Sequence, residues 1–134
     1  ALGEREMAEY IANREMSVFV MDLDHNFHDV KMIKERHYPF YKIVREKNPA
    51  LPIVMVTAPA PKYAYCIFEE RRSVIFENYK RAKSEGDENV YFIDGMRMMD
   101  GEYCDMITVD GCHPNDFGFY CMARGVLEVL NKII

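Results

Sequence analysis

Asp110 and His113 stand three residues apart in the run Val109-Asp110-Gly111-Cys112-His113-Pro114-Asn115-Asp116-Phe117-Gly118. A carboxylate beside an imidazole is the pair that fixes a histidine tautomer and steadies the imidazolium formed when the ring takes a proton from a hydroxyl nucleophile. The same spacing also fits a plain turn, in which Asp110 accepts backbone N–H groups and His113 shields a helix end. In either reading the pair belongs to a loop, because Gly111 weakens a helix and Pro114 drives His113 out of the helical region. Asn26 is a second candidate: an Asx turn ending a strand, or a side-chain N–H donor to an oxyanion. Asp22, Asp24, His25 and His28 crowd the same stretch, where a solvated loop is the plainer reading and a metal site the sharper one.

These groups need elements to hold them. Asn115 is a good N-cap, and behind it Phe119, Met122, Ala123, Val126, Leu127, Leu130 and Ile133 recur at the three- and four-residue intervals of an amphipathic helix. Val18–Met21, Ile53–Val56 and Val90–Ile93 are continuous apolar runs rich in strand formers, which predicts strands covered on both faces. Between them lie helical patterns. Residues 3–13 predict a short helix with Met7, Tyr10 and Ile11 inward. Residues 30–47 predict a helix with Ile33, His37, Phe40 and Val44 on one stripe, with a kink or restart at Pro39 and a stop at Asn48-Pro49. Residues 64–84 predict a third helix aligning Phe68, Ile75, Tyr79 and Ala82, with Glu69, Glu70, Arg71 and Arg72 largely outward. Residues 96–108 read as a turn-rich excursion, with a short strand expected at 103–109. Strands alternating with helices predict one α/β domain over residues 1–134, a parallel sheet joined by right-handed crossovers and helices on both faces, three layers in all. Ligands of such sheets bind beyond the carboxyl ends of the strands.

With 134 residues, 49% of them hydrophobic, the chain suffices for one core. Its 17 Lys and Arg against 22 Asp and Glu form no long block of either sign, which argues against nucleic acid or an anionic membrane as partner. No apolar run approaches the roughly 20 residues of a membrane span. Cys66, Cys104, Cys112 and Cys121 lack a C-x-x-C pair and are expected as isolated thiols. His37 is expected as a packed or snorkelling ring, and the ten methionines as core filler or pocket lining. Compartment is left open.

The block Asp110-Gly111-Cys112-His113-Pro114-Asn115-Asp116-Phe117-Gly118 resembles the last sequence block of the SGNH hydrolases, the GDSL-type esterases, whose D-x-x-H carries the Asp and His of a catalytic triad. Val18–Asn26 is similar to that family's third block, an apolar strand ending in an oxyanion-hole Asn, with Asp24 where Gly is usual and Phe27 where Asp is usual. Asn48-Pro49-x-Leu51-Pro52-Ile53-Val54 and Val56-Thr57-Ala58-Pro59 resemble the family's middle region. The resemblance implies a flavodoxin-like three-layer fold lacking its first strand or two, and hydrolysis of a small-molecule or carbohydrate ester, an acetyl ester among the options. It implies His113 as proton shuttle, Asp110 as its orienting carboxylate, Asn26 as oxyanion donor, and no metal or cofactor. Asp24, His25, Thr57 and Cys112 are expected to line the substrate pocket.

The G-D-S block that supplies the nucleophile is absent, as is the glycine block. Ser17, Ser73 and Ser84 are the only serines, and none is expected at the loop edge. Cys112 adjoins His113, but successive turn residues point apart. The expectation is therefore the carboxyl-terminal part of a longer esterase, inactive alone, whose exposed sheet edge associates with the separated amino-terminal piece or with another copy. Two alternatives stand beside it: a magnesium-dependent phosphatase of the haloacid dehalogenase type built on Asp22 and Asp24, and a non-catalytic binding or assembly module.

Overall fold

In a computed structural model, which describes residues 2–133 apart from the side chains of Lys62, Tyr65 and Ile67, the three apolar runs become β1 (Phe19–Asp22), β2 (Ile53–Val56) and β3 (Val90–Ile93). They pair in parallel in the order β1-β2-β3. Phe19 lies opposite Ile53 and Ile53 opposite Val90; at the other end Asp22, Val56 and Ile93 are level. All three strands therefore stop at one edge and deliver their following loops side by side. α2 (Val30–Lys47) connects β1 to β2, and α3 (Tyr65–Ser84) connects β2 to β3. Parallel neighbours require such crossovers.

The alternation of side chains along each strand divides the core in two. Phe19, Met21, Ile53, Met55, Val90 and Phe92 join Ala8, Ile33, Phe40, Tyr41, Val44 and Ile75 of α1 (Arg5–Ala12), α2 and α3 in the larger cluster. Val20, Val54, Val56, Tyr91 and Ile93 meet Val126, Val129 and Ile133, at and beyond the end of α5 (Asp116–Leu130), on the opposite face. The expected layers of helix, sheet and helix are present.

Several local expectations change. α1 turns Ala8 and Ala12 inward, whereas Met7 and Tyr10 are exposed, because small residues let α1 lie close against α2. α2 continues through Pro39, which sits on its exposed side. β2 is buried at every residue, but β1 is only partly covered and its Asp22 is exposed. The difference follows from position, since β1 is an edge strand and β2 has a neighbour on each side. Residues 103–109 form no strand; a short α4 (Gly95–Met98) and a 3-10 turn at Cys104–Met106 occupy the excursion, and pairing is limited to one antiparallel bridge between Thr108 and Pro114. Phe119 and Leu127 of α5, placed on the inward stripe, are 57% and 53% exposed. No described helix is long and apolar enough to cross a membrane, and the four cysteines are free.

His37 is the anomaly of the core. It is completely buried between α2 and α3, accepts a hydrogen bond at Nδ1 from the Asn78 amide at 3.2 Å, and has no partner at Nε2 among the described residues. Burial lowers its pKa from 6.5 to about 3. The unfolded chain binds this proton below about pH 6.5 and the folded chain does not until about pH 3, so the folded state loses relative stability as pH falls through that window. Urea unfolding should show a loss of about 2 kcal/mol attributable to His37 between pH 7 and pH 5. His37→Met should flatten that slope, and an unchanged slope would assign the acid sensitivity elsewhere.

Candidate active site

The loop after β1 begins with a 3-10 turn, Asp24–Asn26. It is built around a buried ion pair. Asp24 is 0% exposed, and its Oδ1 accepts from Arg71 Nε at 2.8 Å while its Oδ2 accepts from the Ala58 N–H at 2.8 Å. Arg71 Nη2 donates further to the carbonyls of Asp24 and Phe27. One guanidinium on α3 thus satisfies the acid and both ends of the turn, as a planar donor fork can. The next residue, His25, donates from Nε2 to the Pro59 carbonyl at 3.0 Å and packs edge-on against Phe68. Asn26 then projects outward, exposed, with no hydrogen bond on its side-chain amide among the described residues.

The loop after β2 is tied to the loop after β3 in the same manner. Thr57 Oγ1 accepts from the Gly95 N–H at 2.8 Å, and the Thr57 N–H donates to the Ile93 carbonyl at 3.2 Å. Arg72 grips Asp94 with two hydrogen bonds of 2.9 and 2.5 Å. The carboxyl edge of the sheet is therefore laced laterally.

The turn carrying Asp110 and His113 is organised from within. The Val109 N–H donates to the His113 carbonyl at 2.8 Å and the Asn115 N–H to the Ile107 carbonyl at 3.0 Å, closing a narrow hairpin. Gly111, at the tip, has φ +87°, a conformation that favours glycine. Asn115 caps α5 by accepting the Gly118 N–H at 3.0 Å and donates from Nδ2 to the Met106 carbonyl at 2.7 Å. Gly118 lets α5 approach this close, since a Cβ there would stand 2.1 Å from the Ile107 carbonyl oxygen.

Within this frame Asp110 Oδ1 accepts the N–H groups of Cys112 and His113 at 3.0 and 2.8 Å, and Oδ2 lies 2.7 Å from His113 Nδ1. The backbone N–H of His113, then its ring, then the Cys112 N–H hold the Asp110 carboxyl well below the usual aspartate range. An ionised Asp110 at Nδ1 selects the tautomer with its proton there, which leaves Nε2 as the basic nitrogen. That nitrogen has no hydrogen bond among the described residues, and the ring is exposed to solvent. Tyr63, in the turn before α3, reaches the hairpin with its hydroxyl 3.3 Å from Thr108 Oγ1, which also accepts the Gly111 N–H. A chain of contacts thus runs from His25 through the β2 loop and Tyr63 to the hairpin.

Of the residues expected to line a pocket, His25 and Cys112 are exposed, but Asp24 and Thr57 are wholly buried. Those two are corrected to structural roles: the carboxylate oxygens of Asp24 and the hydroxyl of Thr57 are spent on Arg71, Ala58 and Gly95. A phosphatase built on Asp24 loses its acid for the same reason. No group of three or more His, Cys, Asp or Glu among the described residues is disposed to hold a metal ion. Arg71, expected outward, is a correction with a readable cause: it stands three residues after Phe68 and four before Ile75, on the helix's own apolar stripe. The serines lie elsewhere. Ser17 precedes β1, Ser73 bonds the Glu69 carbonyl within α3, and Ser84 bonds the Arg81 carbonyl at its end.

The sequence model of the GDSL-like lipase/acylhydrolase family matches residues 1–131. No curated protein matches the chain. Among solved structures, a protein from Bacteroides ovatus described as a GDSL-like lipase is similar at 26% identity with a TM-score of 0.86, over 98% of this chain and 40% of that one. The salicylyl-acyltransferase SsfX3 of a tetracycline biosynthetic pathway is similar in fold at 20% identity and TM-score 0.78, over 97% of this chain and 42% of its own. A family two carbohydrate esterase from Clostridium thermocellum follows at 20% identity and TM-score 0.71, over 90% and 37%. The chain thus spans about 40% of the length of the structures it resembles.

Two measurements check this geometry. Arg71→Ala leaves the Asp24 charge buried without its partner and should cost about 3–5 kcal/mol in chemical denaturation; a loss below about 1 kcal/mol would mean the pair is dispensable. By carboxyl NMR, Asp110 should remain ionised below the usual aspartate range. His113→Ala should remove only part of that depression, because its largest cause is the backbone N–H, which the substitution retains.

Proposed function

The chain belongs to the GDSL-like lipase/acylhydrolase family, and from that premise we propose that it carries the proton-transfer half of a serine ester hydrolase. The observation that bears the reading is the 2.7 Å contact of Asp110 Oδ2 with His113 Nδ1, with Nε2 left open. The nucleophilic serine is proposed to lie outside these 134 residues, since the hydroxyls of Ser73 and Ser84 are bound to their own helix and Ser17 sits at the opposite end of β1. The free edge of β1 and the exposed Phe119 and Leu127 of α5 support association with a segment, or a second copy, that brings that serine.

In this reading His113 Nε2 takes the serine proton as the hydroxyl oxygen attacks the ester carbonyl, and Asp110 steadies the imidazolium. The Asn26 amide donates to the oxygen on which negative charge collects. His113 then protonates the departing alkoxide, and water repeats the cycle to release the acid. The substrate is proposed to be a carboxylic ester, with an O-acetylated carbohydrate as the class to assay first. Family membership supports the ester chemistry; the solved carbohydrate esterase, similar in fold alone, motivates the sugar.

Hydrolysis of p-nitrophenyl acetate is expected to be absent from the isolated 134 residues and present in a polypeptide that adds the serine-bearing segment. In that active form His113→Ala should lower kcat by at least about a thousandfold, and Asn26→Ala should lower it by about a hundredfold to a thousandfold. Turnover that survives loss of His113 would remove the proposed mechanism.

A further inference from the structure

We infer that Arg71 is a positioning residue for the oxyanion donor: it sets the direction of the Asn26 amide by clamping the turn from which Asn26 projects. The inference rests on the role proposed for Asn26. Within the four residues Asp24–Phe27, Arg71 holds the side chain of the first, the carbonyl of the first and the carbonyl of the last. Asn26 itself has no side-chain hydrogen bond among the described residues, so nothing local to that amide orients it. Its direction is inherited from the backbone, and the backbone of this turn is closed on a guanidinium supplied from 47 residues away.

The clamp is built for rigidity. Asp24 is 0% exposed and its second oxygen is fixed by the Ala58 N–H, so the carboxylate cannot swing toward water to find another partner. His25 is fixed independently through Pro59 and Phe68. Asn26 thus lies between two anchored neighbours, His25 and Phe27, and stays free at its amide. An oxyanion donor is effective when it is aimed before charge develops, because no reorganisation is then needed during reaction. Lysine cannot replace arginine here: a single ammonium cannot span a carboxylate and two carbonyls in the geometry of a planar fork.

The test uses the active, serine-bearing form with p-nitrophenyl acetate. Arg71→Lys, folded by circular dichroism, should lower kcat about tenfold or more with KM within about twofold, as expected for loss of a contact felt chiefly in the transition state. In an Asn26→Ala background the same substitution should cost almost nothing further, since the group it aims is gone. An equal loss in both backgrounds, or none in either, overturns the inference. His113→Ala in parallel separates the two failures: if it abolishes turnover while Arg71→Lys is silent, the esterase reading stands and the positioning role falls. Should Arg71→Lys not fold, NMR of the unaltered 134-residue chain decides. An Asn26 backbone as ordered as the strands supports the clamp, and an order parameter below about 0.6 there refutes it.

Discussion

The pairing of Asp24 with Arg71 is the constraint on which the upper edge of this sheet depends. A carboxylate removed completely from water is tolerable only if its charge and lone pairs are met, and here they are met by one guanidinium and one backbone N–H. Because those partners come from α3 and from the loop after β2, the acid holds three segments of the chain in register. Thr57 with Gly95 and Arg72 with Asp94 extend the same logic to β3. The strands stop at one level, and polar cross-links knit their ends into a platform.

The Asp110–His113 turn solves a different problem by different means. Its carboxylate is satisfied almost entirely by its own turn, which is why a residue exposed to solvent can still be strongly acidified. Ordered geometry at an exposed site requires local closure, and the hairpin between Ile107 and Asn115 supplies it. Gly118 then lets α5 press against that hairpin, so the helix behind the histidine acts as its foundation. On and near that helix the rings of Tyr103 and Tyr120 each pack against Phe117, and all three are exposed.

The two faces of the sheet are unequally finished. The face toward α1, α2 and α3 is continuous and contains even an orphaned His37 nitrogen. The other is covered by α5 and Met98 of α4; Phe119 and Leu127 stay exposed there, and β1 has one side unpaired in the sheet.

The amino-acid sequence by itself determined the three strands, the four longer helices and the histidine turn. β2 and β3 stand where their apolar runs end, α2 occupies the residues its stripe and stops enclose, and Asn115 caps α5 as its type dictates. The block from Asp110 to Gly118 likewise carried the resemblance to the family whose model matches residues 1–131. These features were legible because each arises from interactions within a few neighbouring residues. Only the tertiary structure decided that Asp24 and Thr57 lie beneath the site, that Arg71 turns inward, and that β1 is only partly covered. Each of those outcomes depends on a partner distant in the chain or on the presence or absence of a neighbouring strand. A charged side chain on a helix stripe is exposed or buried according to whether an opposite charge awaits it below, and local pattern does not encode that meeting.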